Sequence, residues 1–267
     1  IKCGGSLIDN RHVMTAAHCI FDEYGMVRKK SLTEVYLGVH SLTDLENKYG
    51  VEKFIFDKRF SILDGKLDHD FAILRLSENV QFNSNVYPIC IPKSEFDDFD
   101  RLVVAGWGKL SAFEGAPNSL NEVEVEYIDS KYNLNWDEYF ISKLLLFLLI
   151  FVLKTGDRCN KLNYDFALKS QGLIEKYAGQ YSNMINPIHD SHMCAIDTLT
   201  GAGACIGDSG GPLMYKNPDN NRWYAIGIVS GGYGVCGSVQ VPTLYTIVAK
   251  YKNFIKRYAA GSKICPI

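Results

Sequence analysis

No C-x-x-C pair, no N-x-S/T sequon and no long run of a single charge occurs in this 267-residue chain. The missing C-x-x-C pairs argue against the common structural zinc sites. The missing sequon leaves secretion without support from glycosylation signals. Lys plus Arg is 28 and Asp plus Glu is 30, for a net charge of -2. A balance so close to neutral, with no basic run, makes nucleic acid an unsuited partner. No internal repeat or low-complexity linker divides the chain, so it reads as a single unit over 1–267. No apolar stretch approaches the ~20 residues that a membrane-crossing helix needs. The longest lies between Lys143 and Lys154 and holds ten residues, Leu144 to Leu153. Charge brackets it further out, at Asp137-Glu138 and Asp157-Arg158. The chain opens IKCGGSLI, inside what reads as a strand, with no initiator methionine, charged n-region or signal-peptide core. The expectation is that a preceding stretch was removed or that the sequence record is incomplete.

What is present is β-rich and cysteine-rich. The eight cysteines, Cys3, Cys19, Cys90, Cys159, Cys194, Cys205, Cys236 and Cys265, are scattered singly. An even number at wide spacing reads as disulfides in an oxidising compartment; the alternative is a reduced protein with buried thiols. Short runs rich in β-formers, GGSLI, HVMTAAHC, EVYLGV, KFIF, FAILRL, LVVAGW, WYAIGIVSGG and TLYTIV, alternate with turn residues such as Asp9-Asn10 and Asp64-Gly65. Many short strands and few helices predict an all-β barrel or sandwich. Only the tail carries a helical period, with Ile247, Val248, Tyr251, Phe254, Ile255 and Tyr258 on one face. That stripe predicts a helix over about 246–258 docked on the β domain, in preference to a basic membrane-binding helix.

Three short islands carry chemistry: Thr15-Ala16-Ala17-His18-Cys19, His69-Asp70-Phe71-Ala72-Ile73-Leu74, and Gly207-Asp208-Ser209-Gly210-Gly211-Pro212-Leu213. Each alone is a modest signal. Histidines in apolar strands are usually structural, and His12, His40, His189 and His192 are read that way. An Asp before a strand is often a cap, and a G-D-S-G-G turn can be a plain glycine loop. In the order His, Asp, Ser they say more. A serine hydroxyl is a poor nucleophile near neutral pH and needs a base. His18 titrates in the right range, and a buried Asp70 would fix its tautomer and stabilise the imidazolium. Glycines around Ser209 let the backbone turn so that the amides of Gly207 and Ser209 face a developing oxyanion.

These islands, with CGGSLI, AGWG and the C-terminal helix in the same order, resemble the chymotrypsin-like (trypsin family) serine endopeptidases over most of the chain. The resemblance implies two packed six-stranded antiparallel β-barrels and a C-terminal helix. The first barrel would span about 1–95, lacking its N-terminal part, and the second about 101–248. It implies His18, Asp70 and Ser209 as catalytic residues, with His69 only a variable neighbour of the aspartate, and an oxyanion hole of Gly207 and Ser209. It also implies the disulfides Cys3–Cys19, Cys159–Cys194 and Cys205–Cys236. A further pair common in the family is replaced by Leu102 and Tyr215. Cys90 matches a cysteine that in many relatives holds a pro-segment or upstream domain; a bond to Cys265 is the alternative. Substrate-binding residues would be Gly203, Ser230, Gly231, Gly232 and Thr243. Gly203 stands where trypsin-like members carry an aspartate, so Arg and Lys would find no partner, and burying an unpaired cation is costly. The pocket is expected to take medium-sized hydrophobic residues such as Leu. No cofactor is expected, and a calcium loop lacks its first acidic ligand at Val39-His40.

Two departures from the family pattern bear on activity. Asp208 would pair with a new N-terminus after activation, but Ile1 lies well downstream of that site, so the chain as given should be poorly active. Between Val123–Ile128 and Cys159 lie about 25 residues more than the family pattern calls for, an insert over about 130–154 that contains the apolar run. We read it as a translated, unspliced intron, because Phe, Leu, Ile and Val codons share T at the second base and a pyrimidine tract before a splice acceptor would read this way. A surface insertion with an exposed apolar patch is the alternative. The expected function is a secreted, extracellular serine endopeptidase acting on proteins or peptides, with no nucleic-acid or membrane partner. A protease-like regulatory module without activity is the runner-up, and a membrane-anchored protein rests only on the apolar run. Sequencing genomic DNA and cloned transcripts should reveal splice boundaries flanking the insert; transcripts that always contain it, with no genomic boundary, would end the intron reading.

Overall fold

Two burial patterns account for the strands. Where one face meets water, apolar and polar residues alternate, as in NEVEVEY from Asn121 to Tyr127, whose valines point inward and whose glutamates point out. Where both faces are covered the alternation vanishes, as in HMCAI from His192 to Ile196, buried throughout. The computed structural model describes residues 3–62, 67–95, 101–111, 114–128, 190–197, 199–232, 236 and 242–259. The expected insert over about 130–154, Cys159, His189, the loop from Gly172 to Gly179, and Cys265 all lie outside them.

The first half is a five-stranded antiparallel sheet of β1 (Ser6–Leu7), β2 (His12–Thr15), β3 (Glu34–Tyr36), β4 (Lys48–Phe56) and β5 (Ala72–Leu76). Its order is β1-β2-β5-β4-β3. The second half is a closed antiparallel barrel of β6 (Leu102–Gly106), β7 (Asn121–Tyr127), β8 (His192–Ile196), β9 (Pro212–Asn217), β10 (Arg222–Gly231) and β11 (Thr243–Ile247), in the order β10-β11-β8-β7-β6-β9. The second barrel thus has its six strands, whereas five strands make up the first sheet among the described residues. The tail passes through a single 3-10 turn, Val248–Tyr251, into a helix, α1 (Lys252–Tyr258). No helix among the described residues is long and apolar enough to cross a membrane.

The two halves share a core. Ile8, Met14, Phe71 and Ile73 of the first sheet pack with Ile228, Val248, Tyr251 and Ile255 of the barrel and tail. The Phe71 ring stacks on Tyr251 with centroids 4.2 Å apart. The tail stripe read from the sequence therefore docks at the seam between the halves. Backbone bonds cross the same seam: Cys90 N donates to Trp223 O, Ala225 N to Cys90 O, and Ile89 N to Leu7 O. The seam positions the residue just before Phe71, which is Asp70.

Cys3–Cys19 and Cys205–Cys236 are disulfides. Cys90 and Cys194 are disulfide-bonded as well, to partners outside the described residues. Leu102 and Tyr215, the pair that replaces a family disulfide, face each other across β6 and β9. Ile255 is fully buried in the seam, so Ile255→Ala should remove about 2–5 kcal/mol of stability. A urea titration reads this as a lowered midpoint with an unchanged slope.

Candidate active site

Asp70 is the most enclosed charge of the site, with no exposure to solvent. Its Oδ1 accepts from the backbone N–H of His18 at 2.8 Å, and its Oδ2 lies 2.7 Å from His18 Nδ1. The Ser230 hydroxyl donates to the same Oδ2 at 2.6 Å, and Thr246 Oγ1 donates to the Asp70 carbonyl at 3.0 Å. Four hydrogen bonds from three elements therefore hold one residue. A carboxylate only accepts, so His18 Nδ1 carries the proton and Nε2 is left bare to act as a base. Burial works against a charged imidazole at His18, but the hydrogen bond and charge of Asp70 outweigh it and hold the pKa above the ordinary value of 6.5.

His18 sits on a 3-10 turn, Ala17–Ile20, which follows β2 directly. The Cys3–Cys19 disulfide ties that turn to the start of the chain beside β1. Ser209 lies on the loop before β9, and its carbonyl accepts from Gly4 N at 2.7 Å. Cys19 Sγ is 3.6 Å from the same carbonyl oxygen; a disulfide sulfur has no proton, so this is a packing contact. The His18 turn and the Ser209 loop are thus anchored to the same few atoms. Among the described residues no hydrogen bond joins Ser209 Oγ to His18 Nε2. Such a bond commonly tightens only when substrate arrives. Cys3, His18 and Cys19 also cluster closely, but two of the three are spent in the disulfide and offer no thiolate to a metal.

The loop owes its shape to glycine. Gly210 has φ +79, and a Cβ there would lie 2.2 Å from Thr15 Oγ1 and 2.6 Å from Gly4 O. Gly106, in the AGWG stretch, would place a Cβ 1.9 Å from Asp208 Oδ1. Asp208 therefore has a seat only because that position is bare. Its carboxylate accepts from Gly108 N at 2.7 Å and from Cys205 N at 2.9 Å. Burial raises its pKa despite these two bonds, and no cation reaches it among the described residues. Gly207 and Ser209 donate to no other backbone carbonyl in the described structure, so their amides remain open to a ligand.

A pocket of about 240 Å³ opens beside Ser209. Gly231, Gly232, Thr243 and Pro242 line it, together with Ala204 and the Cys205–Cys236 bridge. Gly203 stands behind it, where a Cβ would be 3.4 Å from Thr243 Oγ1. No carboxylate is among the described lining residues. Ser230 turns away from this pocket and toward Asp70.

The other described histidines differ in their surroundings. His12 Nδ1 pairs with Asp9 at 2.8 Å, and His40 lends its carbonyl to Trp107 Nε1. His69, at φ +61, places Nδ1 3.3 Å from the Tyr251 hydroxyl. His192 is buried within hydrogen-bonding range of Ser230 and Ser191. Nothing in the stretch HMC announces the Ser230 contact, which depends on tertiary pairing.

The family model described as Trypsin matches residues 1–144 and 162–255. Its gap contains most of the apolar run. Transmembrane protease serine 11G of Rattus norvegicus is 33% identical over 257 residues, covering 95% of this chain and 48% of that protein. The clotting factor G beta subunit of Tachypleus tridentatus is 26% identical over 269 residues, covering 99% and 73%. Venom serine protease Bi-VSP of Bombus ignitus is 33% identical over 259 residues, covering 94% and 57%. The chain spans about half the length of the transmembrane relative and rather more of the other two. Among solved structures, mouse neuropsin, a serine protease expressed in the limbic system, superposes with a TM-score of 0.66 at 26% identity, covering 96% of this chain and 88% of its own.

The His18 imidazole should titrate above 6.5, and Asp70→Asn should bring it below, because burial then acts without the opposing charge. The same sign governs stability: the Asp70–His18 contribution is complete below the ordinary histidine value and fades as pH rises through the raised one. Ring-nitrogen NMR of the two proteins checks both midpoints.

Proposed function

We propose that this chain, which belongs to the trypsin family of serine proteases, is the catalytic domain of a secreted endopeptidase that cuts after medium-sized hydrophobic residues. The observation that carries the reading is the His18–Asp70 pair, anchored through Gly4 and the Cys3–Cys19 bridge to the loop that bears Ser209. In this reading Ser209 Oγ attacks the scissile carbonyl while His18 Nε2 takes its proton. Asp70 keeps Nδ1 protonated and stabilises the imidazolium. The carbonyl oxygen, now negative, accepts from the amides of Gly207 and Ser209, and losing one such donor typically costs about 10²- to 10³-fold in rate. His18 then returns its proton to the leaving amine, and water repeats the sequence to release the acyl group from Ser209.

Pocket chemistry supports the substrate class. Gly203 lies behind the pocket, Gly231, Gly232 and Thr243 line it, and no described lining residue carries a carboxylate to pair with Arg or Lys. Thr243 narrows the base, which favours a side chain of leucine size over a large aromatic. Polypeptides are the partners this site fits. Paired cysteines support an extracellular setting, and no described cysteine is free. Asp208, buried with no cation beside it among the described residues, is suited to receive the amine of a terminus released by activation cleavage, and in this reading the chain is part of a zymogen.

An organophosphate serine probe on the full-length, activated protein should label Ser209, and Ser209→Ala should remove the label and lower kcat by about 10⁶-fold. A peptide panel should show turnover after Leu well above that after Arg. Absence of labelling would overturn the peptidase reading in favour of a regulatory module. Rapid cleavage after Arg, but not after Leu or Phe, would overturn the pocket reading alone.

A further inference from the structure

His192 is a buried imidazole, 7% exposed, on an all-buried strand. The register of β8 against β11 sets it opposite Thr246, which donates to the Asp70 carbonyl. Its Nε2 is 3.3 Å from Ser230 Oγ, and its Nδ1 is 3.2 Å from Ser191 Oγ. Ser191 Oγ in turn lies 3.5 Å from the backbone N–H of His69.

Proton counting gives this row of contacts a direction. A serine hydroxyl has one proton to donate. That of Ser230 goes to Asp70 Oδ2 at 2.6 Å, since a carboxylate has none to give back. Ser230 Oγ must therefore accept from His192, so the proton of the neutral imidazole sits on Nε2. Nδ1 is then an acceptor, and the Ser191 hydroxyl donates to it while accepting from His69 N. Every donor faces an acceptor from His69 through Ser191, His192 and Ser230 to Asp70, where His18 Nδ1–H arrives from the other side.

We propose that His192 is a positioning residue for the Asp70–His18 pair, holding the Ser230 hydroxyl with its proton on Asp70. Hydrogen bonds in such a row polarise one another, so the Nε2–H of His192 strengthens the donation of Ser230. A better-solvated Asp70 carboxylate has less negative charge to offer His18, which tempers the basicity that Asp70 alone would confer. The role is specific to the imidazole: an apolar residue of similar size fills the space and leaves Ser230 Oγ without a donor. This inference rests on the peptidase reading for its catalytic meaning but not for its geometry.

Among the described residues, the titratable and charged groups near His192 are reached through its own contacts. Asp70 and His18 lie across Ser230, and His69 and Tyr251 lie on the Ser191 side. Asp190, within reach of Lys250, adjoins Ser191. Asp57, paired with Arg59, acts on Tyr251.

Ring-nitrogen NMR on the full-length protein tests the proposal without relying on turnover. In the wild type at about pH 8, where an ordinary histidine is neutral, His192 should show a protonated Nε2 and a bare Nδ1; the opposite tautomer overturns the proposal. His192→Leu should raise the His18 midpoint by a few tenths of a pH unit. His192→Gln, whose amide N–H can take the place of Nε2–H, should leave that midpoint near wild type. A folded His192→Leu protein with an unmoved His18 midpoint overturns the positioning role, since a space-filling residue would alter stability alone. Should His192→Leu not fold, the wild-type tautomer decides. A protein that shows the expected shifts but cleaves no peptide would refute the peptidase reading and leave this one standing.

Discussion

Asp70 is a charge with no access to water, and that single constraint organises the site. The effective cost of burying an ion is several kcal/mol even after relaxation. It is tolerated only where donors converge on the carboxylate, and here they come from separate parts of the chain: the His18 turn after β2 and Ser230 at the end of β10. Thr246 of β11 holds the carbonyl of the same residue. The two from His18 come within the first half, where β2 pairs with β5, but Ser230 and Thr246 belong to the second half and reach Asp70 only once the halves have docked. The charge that orients His18 is thus fully matched and enclosed only in the assembled fold.

The seam between the halves places an aromatic cluster beside that charge. Phe71 follows Asp70 and stacks on Tyr251, with Phe254 edge-on to the same ring. Stacked and edge-on aromatic pairs fix orientation as well as burying area, so the backbone at Asp70 is clamped by its neighbour. The tail helix contributes no catalytic group, yet it closes this clamp through Ile255. Its apolar stripe is therefore as much a part of the site's mechanics as the strands are.

The sequence was most legible where local chemistry and spacing suffice. Eight runs read as β-rich each contribute to a strand, and the three islands come together around Asp70 and the Ser209 loop. The AGWG glycine at Gly106 finds a plain steric reason in the Asp208 carboxylate. Legibility failed where burial is complete or contacts are distant. β8 carries a histidine and a cysteine, with no alternation to mark it, and β9 begins at a proline after two glycines. His192 was read as an ordinary core histidine because its partners, Ser191 aside, stand on other strands. Only the Thr246–His192 register brings it to Asp70. The bonding of Cys90 was equally open, since a cysteine's partner is set by three-dimensional proximity that spacing does not encode.

Asp70 and Asp208 are both buried aspartates near Ser209, and their surroundings set them apart. Asp70 has an imidazole and a hydroxyl aimed at it, so its charge is matched in the structure as it stands. Among the described residues Asp208 has only the amides of Gly108 and Cys205, and burial pushes its pKa up. An incoming cation would change little at Asp70 but much at Asp208, where it would supply the missing countercharge. Asp208 is also covalently next to Ser209 and one residue from Gly207, the two amides that face the substrate carbonyl in our reading. In our reading a cation that re-seats its carboxylate acts next to those amides, whereas Asp70 and His18 are held from other elements. In our reading His18 is preassembled as the base, while the amides of Gly207 and Ser209 depend on how Asp208 is seated.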